Sequence, residues 1–118
     1  MASDSDALDQ LAEVSDISKV HAVQHYLYFP SKIAARRAAS DIVKQKYVVT
    51  ERLGADLKNW LVLAEHRIVP TLEALTAARA ALEKCATKFG GEYDGWEAAV
   101  RSINADATVD TESNNPLG

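Results

Sequence analysis

Two apolar runs along the chain predict strands that are covered on both faces. Residues 60–64 read WLVLA without a polar interruption, and residues 25–29 read HYLYF. A strand with one face in water alternates apolar and polar residues, so an unbroken run is typical of the middle of a sheet. Pro30 and Pro70 close the two strands, because proline cannot donate a hydrogen bond to a neighbouring strand.

The segments between and after these runs have the spacing of two helices and two further strands. In each predicted helix, alanine, leucine or isoleucine recurs every three or four residues. Ser31 and Thr71 stand at the expected N-caps, since their side-chain oxygens can accept bonds from the first turn. The predicted bounds are residues 32–45 and 72–88 for the helices, and residues 47–53 and 92–103 for the strands, the last of them bent at Asp94-Gly95.

The order strand, helix, strand, strand, helix, strand predicts an α+β protein with the ferredoxin-like sandwich fold. This fold has a four-stranded antiparallel sheet with both helices on one face. Its first and third strands occupy the middle of the sheet, and these are the two runs predicted to be covered. The fold class does not by itself give a function.

The two ends of the chain are acidic and the middle is mildly basic. The net charge is −4, but residues 25–101 hold twelve Lys or Arg against nine Asp or Glu, a formal charge of +3. We predict a partly disordered acidic segment at residues 1–22, a folded domain at residues 23–103 and a disordered tail at residues 104–118. For the first segment a loosely held tail is favoured over a short helix docked on the domain.

Composition predicts a cytoplasmic protein that does not enter a membrane. No apolar run approaches the roughly 20 residues needed to cross a bilayer. Cys85 is the one cysteine, so an internal disulfide is excluded and a reducing compartment is indicated. Its apolar neighbours predict a buried thiol that acts as a small hydrophobic side chain.

No motif for catalysis, cofactor binding or metal binding is found, and we predict that the protein is not an enzyme. The glycines are isolated turn or cap signals and do not form a phosphate-binding loop. The histidines are His21, His25 and His66, with no obvious further ligand for a metal. His66 shares a strand face with Ala64 and could neighbour His25 across the sheet. A hydrogen-bonded histidine near a strand end is the favoured interpretation.

The sheet face away from the helices is predicted to carry an aromatic patch. If Leu61 and Leu63 face the helices, Trp60 and Val62 join two tyrosines, Tyr26 and Tyr28, on the other face. A small domain rarely leaves such a patch bare. The favoured occupant is a partner protein or a second copy forming a homodimer, the chain's own N-terminal segment ranks second, and RNA ranks third.

Residues 90–97, GGEYDGWE, resemble a signature of the regulator of ribonuclease activity B family. Other stretches fit the resemblance, which covers roughly residues 23–101. They are HYLYF at 25–29, the alanine-rich helix at 34–39, LVLA at 61–64 and Val69-Pro70. The resemblance implies a ferredoxin-like, cytoplasmic bacterial protein that binds and inhibits ribonuclease E and so restrains RNA turnover without catalysis.

Within this block we predict that Tyr93, Asp94 and Trp96 bind the partner. Asp94-Gly95 is typical of a turn or bulge, which could bring both rings to one surface. The alternative is that both rings fill the end of the core. A competing function is an RNA-binding module that uses the open sheet face and the basic first helix with Arg36 and Arg37. The other candidate partner-binding residues are Tyr26, Tyr28, Trp60 and His66.

Overall fold

A computed structural model of the protein describes residues 3–101, and seven helices and strands follow one another along this part of the chain. In chain order they are α1 (Asp4–Val14), β1 (His21–Phe29), α2 (Lys32–Val43), β2 (Val48–Leu53), β3 (Trp60–Ile68), α3 (Leu72–Lys88) and β4 (Glu92–Ala98). No helix within this range is long and apolar enough to span a membrane. The predicted disordered tail, residues 104–118, lies outside the described residues.

The four strands form one antiparallel sheet in the order β2-β3-β1-β4. The first and third strands therefore occupy the middle, as their unbroken apolar runs predict. β1 and β3 pair along their whole length, from His21 opposite Ile68 to Phe29 opposite Trp60. The prediction of an α+β protein with a four-stranded antiparallel sheet is confirmed.

The helix-covered face of the sheet holds the hydrophobic core. Leu27 and Phe29 on β1 are fully buried, and so are Val62 and Ala64 on β3. Helix α2 presents three alanines and one isoleucine to these strands, and such small side chains let it pack close to the sheet. The helical members of this core are Ala35, Ala38, Ala39, Ile42, Leu82, Cys85 and Ala86.

The two faces of β3 are the reverse of the prediction. The sequence predicts Leu61 and Leu63 on the helix side, but Val62 lies there, opposite Leu27. Trp60 therefore also lies on the helix side and packs against the core, so the prediction that it joins the open face is wrong. The first five residues of β3 are all apolar and show no alternation from which the inner face can be identified. The signal lies in the second half of the strand, where Glu65 and Arg67 occupy the same face as Leu61 and Leu63.

A third helix, α1, precedes the sheet in the segment for which the sequence favours a loosely held tail. Ser3 caps this helix by accepting a hydrogen bond from the Asp6 N–H at 3.1 Å. The helix lies beside α3, and its Leu11 is buried. This corresponds to the docked alternative. A weak apolar pattern is sufficient for a helix here because α3 supplies a surface to pack against.

The segment after α1 is joined to the chain that follows β4. The Asp16 N–H donates to the Arg101 carbonyl at 2.7 Å, and the Ser15 hydroxyl lies 2.7 Å from His21 Nε2. His21 Nδ1 donates to the Lys19 carbonyl at 2.7 Å, so both nitrogens of this buried imidazole have partners. His21 therefore has a structural role at the start of β1.

The helix ends follow the predicted capping pattern. Ser31 and Thr71 cap α2 and α3 by accepting bonds from the N–H groups of Ala34 and Ala74, at 3.1 and 3.0 Å. Helix α3 is followed by Gly90, whose φ of 76° is in the left-handed region that glycine adopts without strain. The next residue, Gly91, serves a different purpose because it lies against β1.

Replacing Gly91 by alanine is expected to destabilise the protein by about 2–3 kcal/mol. An added methyl group would overlap the Phe29 ring and the Tyr28 carbonyl oxygen, and the backbone oxygen cannot turn away. At Gly90 the methyl would meet no atom within 4 Å, so Gly90→Ala costs only the left-handed dihedral, about 1 kcal/mol. Urea unfolding of the two variants measures the difference, and equal losses would contradict this packing.

Candidate functional site

Strand β4 contains a bulge at Asp94 that changes which of its side chains face the helices. Trp96 pairs with His25 and Tyr93 pairs with Leu27, which leaves Asp94 as an extra residue without a partner in the register. Gly95 beside it has a φ of 125°, a backbone conformation that residues with a side chain rarely adopt. Because of the bulge, Tyr93 and Trp96 lie on the same, helix-covered face although they are three residues apart.

Tyr93 takes part in a group of four rings inside the protein, which we call the histidine cluster: His25, His66, Tyr47 and Tyr93. Three of them are joined by hydrogen bonds, and Tyr47 packs against them. The Tyr93 hydroxyl lies 2.8 Å from His25 Nδ1, and His25 Nε2 lies 2.9 Å from His66 Nε2. The Tyr47 ring packs on His66 with ring centroids 4.5 Å apart. The predicted neighbourhood of the two histidines is thus present in the structure, with a tyrosine on each side.

Burial keeps both imidazoles of the histidine cluster neutral at pH 7. Burial first, and the charge of His66 second, lower the pKa of His25 from 6.5 to about 4. Burial also lowers the pKa of His66. Burial, followed by the charge of the Asp4 carboxylate, raises the pKa of Tyr93 above its ordinary value of 10, so the phenol keeps its proton.

The proton of Tyr93 determines the tautomers of the two histidines. Its hydroxyl has one acceptor among the described residues, His25 Nδ1, and a buried O–H without an acceptor would cost about 1–3 kcal/mol. With Nδ1 accepting, neutral His25 carries its proton on Nε2 and donates it to His66 Nε2. His66 must then carry its own proton on Nδ1, a nitrogen with no hydrogen-bond partner in the described part of the chain.

The histidine cluster can hold three strands in register, but it has few properties of a catalytic or metal centre. Its two histidines supply two ligands, and residues 3–101 contain no group of three or more His, Cys, Asp or Glu that could hold a metal ion. His25 is completely buried, so a substrate cannot reach it. His25 on β1 is bonded to His66 on β3 and to Tyr93 on β4, so these side chains join the two central strands to the edge strand β4.

Replacing Tyr93 by phenylalanine is expected to destabilise the protein by about 1–3 kcal/mol and to leave partner binding unchanged. The change removes only the hydroxyl, so His25 Nδ1 loses its donor inside the protein. Thermal unfolding and the affinity for a protein partner measure the two effects. A variant with unchanged stability and lost binding would instead place the Tyr93 hydroxyl in the interface.

Asp4 joins helix α1 to the aromatic side of β4. Its Oδ1 accepts bonds from the Arg79 guanidinium at 2.9 Å and from Trp96 Nε1 at 3.2 Å. Arg79 also lies over the Tyr93 ring, 5.6 Å from its centroid. Trp96 and Tyr93 are therefore partly covered from within the chain, whereas Asp94 is exposed.

The face opposite the helices carries an apolar patch on the two central strands. Tyr28 lies opposite Leu61 and Tyr26 lies opposite Leu63, so the four side chains form two neighbouring rows. Leu61 is only 5% exposed, although the helices of the described residues lie on the other side of the sheet. Its neighbours on the face shield it from water. We call Tyr26, Tyr28, Leu61 and Leu63 the open-face patch.

The open-face patch has an acidic border on β4 and a basic residue on β2. Glu92 ends the Tyr28 row on the β4 side, and Arg52 ends it on the β2 side. Glu97 on β4 accepts a hydrogen bond from the Tyr26 hydroxyl at 2.8 Å, and this bond raises the pKa of Tyr26. The face therefore has an apolar centre, and its two sides differ in charge.

The predicted partner-binding residues do not form one surface, because they are divided between the two faces of the sheet. The sequence misses Leu61 and Leu63 as members of the open face, since it places them on the helix side. Sequence reasoning also fails to identify Tyr47 as a member of the site, because this residue looks like an ordinary first residue of the predicted strand. The helix side holds Tyr93, Trp96, Trp60 and His66, the open face holds Tyr26 and Tyr28, and Asp94 is exposed on the β4 strand.

Comparison with known protein families gives a match that covers most of the chain. The family model described as regulator of ribonuclease activity B matches residues 2–98, a range that includes every helix and strand named above. A search of curated proteins found no match. The resemblance noted at residues 90–97 is thereby confirmed, and the family description names a regulator and not an enzyme. The chain belongs to the regulator of ribonuclease activity B family.

Proposed function

We propose that this protein binds a ribonuclease of the ribonuclease E type in the bacterial cytoplasm and inhibits it by protein–protein contact. The observation that carries the proposal is the family match over residues 2–98. In this role the protein catalyses no reaction and lowers RNA turnover in proportion to the fraction of ribonuclease that it occupies.

The arrangement of the strands supports a docking role. The order of elements after α1, with β1 and β3 in the middle of the sheet, fits the ferredoxin-like sandwich that we propose as the fold. Such a sandwich leaves one face of the sheet without helices. Contiguous apolar surface on a small domain commonly marks an interaction site, so we expect the partner to bind this face of the sheet.

The open-face patch is the surface that we propose contacts the ribonuclease. Tyrosines supply a large apolar area together with a polar group, and such residues often carry most of the binding energy of an interface. The second candidate surface, around Tyr93 and Trp96, is weaker. Its polar groups are already engaged inside the chain, the Tyr93 hydroxyl by His25 and the Trp96 indole by Asp4.

The alternative function is RNA binding by the open sheet face and the basic helix α2. Two observations weaken it. Helix α2 packs on the other side of the sheet, where Arg36 forms an ion pair with Glu51 at 3.5 Å, so the two surfaces are not continuous. The border of the open-face patch includes Glu92 and Glu97, which repel phosphate. Titration with labelled single-stranded RNA at two salt concentrations tests the alternative, which requires an affinity that falls steeply with salt.

A second copy of the chain is another protein that the open-face patch could accept. The row of Glu92, Tyr28, Leu61 and Arg52 runs from negative to positive across the sheet. A two-fold axis parallel to the strands would bring Glu92 of one copy over Arg52 of the other. Homodimer formation and ribonuclease binding would then compete, and sedimentation with and without the ribonuclease measures this competition.

The proposed inhibition is tested by titrating the full chain into the purified ribonuclease, with an RNA cleavage assay run in parallel. We expect saturable binding and a cleavage rate that falls to a plateau as the binding sites fill. Without the ribonuclease, the chain is expected to leave the RNA intact. Binding without a change in rate would contradict inhibition, and the absence of binding would contradict the whole proposal.

A further inference from the structure

A cavity of about 450 Å³ lies where β3 extends past the beginning of β2. β2 begins at Val48, opposite Glu65, so the following residues of β3 have no neighbour on that side. The cavity is lined by this free end of β3 and by the turn that leads from α2 into β2. The lining residues with polar side chains are Gln45, Lys46, Tyr47, Glu65, His66 and Arg67.

The charged residues of this cavity favour an anion. Lys46 and Arg67 are exposed and form no ion pair within residues 3–101. The one acidic residue of the lining, Glu65, accepts a hydrogen bond from Gln24 at 3.1 Å. The lining therefore carries two cations, Lys46 and Arg67, against one carboxylate, Glu65, which leaves one positive charge in excess.

The neutral residues of the cavity add hydrogen-bond donors. The Tyr93 proton leaves His66 with its N–H on Nδ1, the nitrogen that has no partner in the described part of the chain. Tyr47 lies against the same imidazole, and its hydroxyl likewise has no hydrogen bond within residues 3–101. The hydrogen bonds of the histidine cluster thus leave His66, a residue of the lining, with an N–H donor that has no acceptor among the described residues.

Lys46 has a backbone conformation that local structure alone does not favour. Its φ is 75°, in the left-handed region, where glycine or asparagine is usual at the end of a helix. Its N–H donates to the Val43 carbonyl at 3.0 Å, so the turn itself is well formed. A strained residue of this kind is a reason to look for a function, and here the side chain is an ammonium group at the cavity.

We propose that this cavity binds the phosphate group of a small ligand, either free inorganic phosphate or a nucleoside 5′-monophosphate. A phosphate has three terminal oxygens and up to two negative charges, which matches two cations and two neutral donors better than a carboxylate does. The volume leaves room for a group attached to the phosphate. The proposal is independent of ribonuclease binding, because the open-face patch shares no residue with the cavity.

The test is a calorimetric titration of the full chain with inorganic phosphate, with a nucleoside 5′-monophosphate and with acetate, at constant ionic strength. We expect saturable binding of phosphate and no measurable binding of acetate. Tighter binding of the monophosphate would identify a nucleotide as the ligand, and equal or weaker binding would identify free phosphate. Chemical-shift changes at the His66 and Tyr47 rings are expected to accompany binding.

Lys46→Gly is the most informative variant, because it removes the cation and relieves the left-handed strain at the same position. Phosphate affinity is expected to fall roughly tenfold or more, while the thermal midpoint stays the same or rises. Lys44→Ala is the matched control, since Lys44 is exposed two residues away and does not line the cavity. It should change the affinity less than about twofold, as expected for a screened surface charge. Arg67→Gln gives an independent loss of one cation.

Two results would overturn the proposal. One is the absence of saturable binding for both phosphate and the nucleoside monophosphate. The other is an equal loss of affinity in Lys44→Ala and Lys46→Gly, which would mean that the ligand senses only the general charge of the surface. Neither result would affect the ribonuclease-binding proposal, whose experiment tests residues that do not line the cavity.

Discussion

Lowering the pH from 7 to 4.5 is expected to reduce the free energy of unfolding by on the order of 2–3 kcal/mol, mainly through His25. The pKa of this buried imidazole is about 4 in the folded protein and 6.5 in the unfolded chain. Between these values the unfolded chain binds more protons, so acidification favours unfolding. The stabilisation is complete above pH 6.5 and is lost as the pH falls towards 4. His66, whose pKa is also lowered, adds to the loss.

Urea unfolding across this pH range measures the effect, and His25→Gln identifies its source. Glutamine has no charge at any pH, so the variant is expected to be less stable at pH 7 but to lose much less stability on acidification. Hydrogen bonds lower the pKa values of Asp16 and Asp56 below 3.8, so the stability that these two carboxylates contribute is lost at a pH below this window. A variant that keeps the full pH dependence would show that another group is responsible.

Replacing both tyrosines of the open-face patch by alanine is expected to weaken ribonuclease binding by about a hundredfold or more. Aromatic residues at the centre of an interface commonly contribute about 2 kcal/mol or more each when truncated. The double variant Tyr26→Ala/Tyr28→Ala is expected to remain folded, because both side chains are partly exposed and the core lies on the other face. Calorimetry and thermal unfolding of the same sample measure both quantities.

The matched control removes two exposed apolar side chains from the helix side of the molecule. Ile33 is 67% exposed and Leu72 is 45% exposed, so Ile33→Ala/Leu72→Ala deletes similar surface without touching the open-face patch. This variant should bind the ribonuclease as the unmodified chain does. If it loses as much affinity as the tyrosine variant, the interface lies elsewhere or the losses reflect a general effect.

The order of the strands is predictable from the sequence because it depends on burial on both faces. The runs at 25–29 and 60–64 identify the two central strands, and prolines and caps limit the elements around them. Which face of β3 points inward cannot be identified from residues 60–64 alone, but Glu65 and Arg67 further along the strand mark the outer face. Val62 and Leu63 are both apolar, so an interpretation based on the apolar run alone cannot choose between them, whereas the structure pairs Val62 with Leu27 in the core. The misplacement of Trp60 follows from that one ambiguity.

The candidate site is predictable where it depends on local backbone and not where it depends on tertiary contacts. The dipeptide Asp94-Gly95 indicates a bulge, and the bulge does turn Tyr93 and Trp96 to one face. Whether those rings are free or covered depends on Asp4 in α1, a helix whose apolar pattern is weak. Long-range bonds of this kind leave no periodic signal in the sequence.

Methyl NMR can show whether the open-face patch is the surface that contacts the ribonuclease, as we propose. Leucine methyl signals are recorded while unlabelled ribonuclease is added to the labelled chain. The patch predicts that Leu61 and Leu63 shift or broaden strongly, while Leu75 and Leu82, buried on the helix side, stay nearly unchanged. Saturable binding in which Leu61 and Leu63 do not change, or in which the changes lie on the helix side, would contradict the claim.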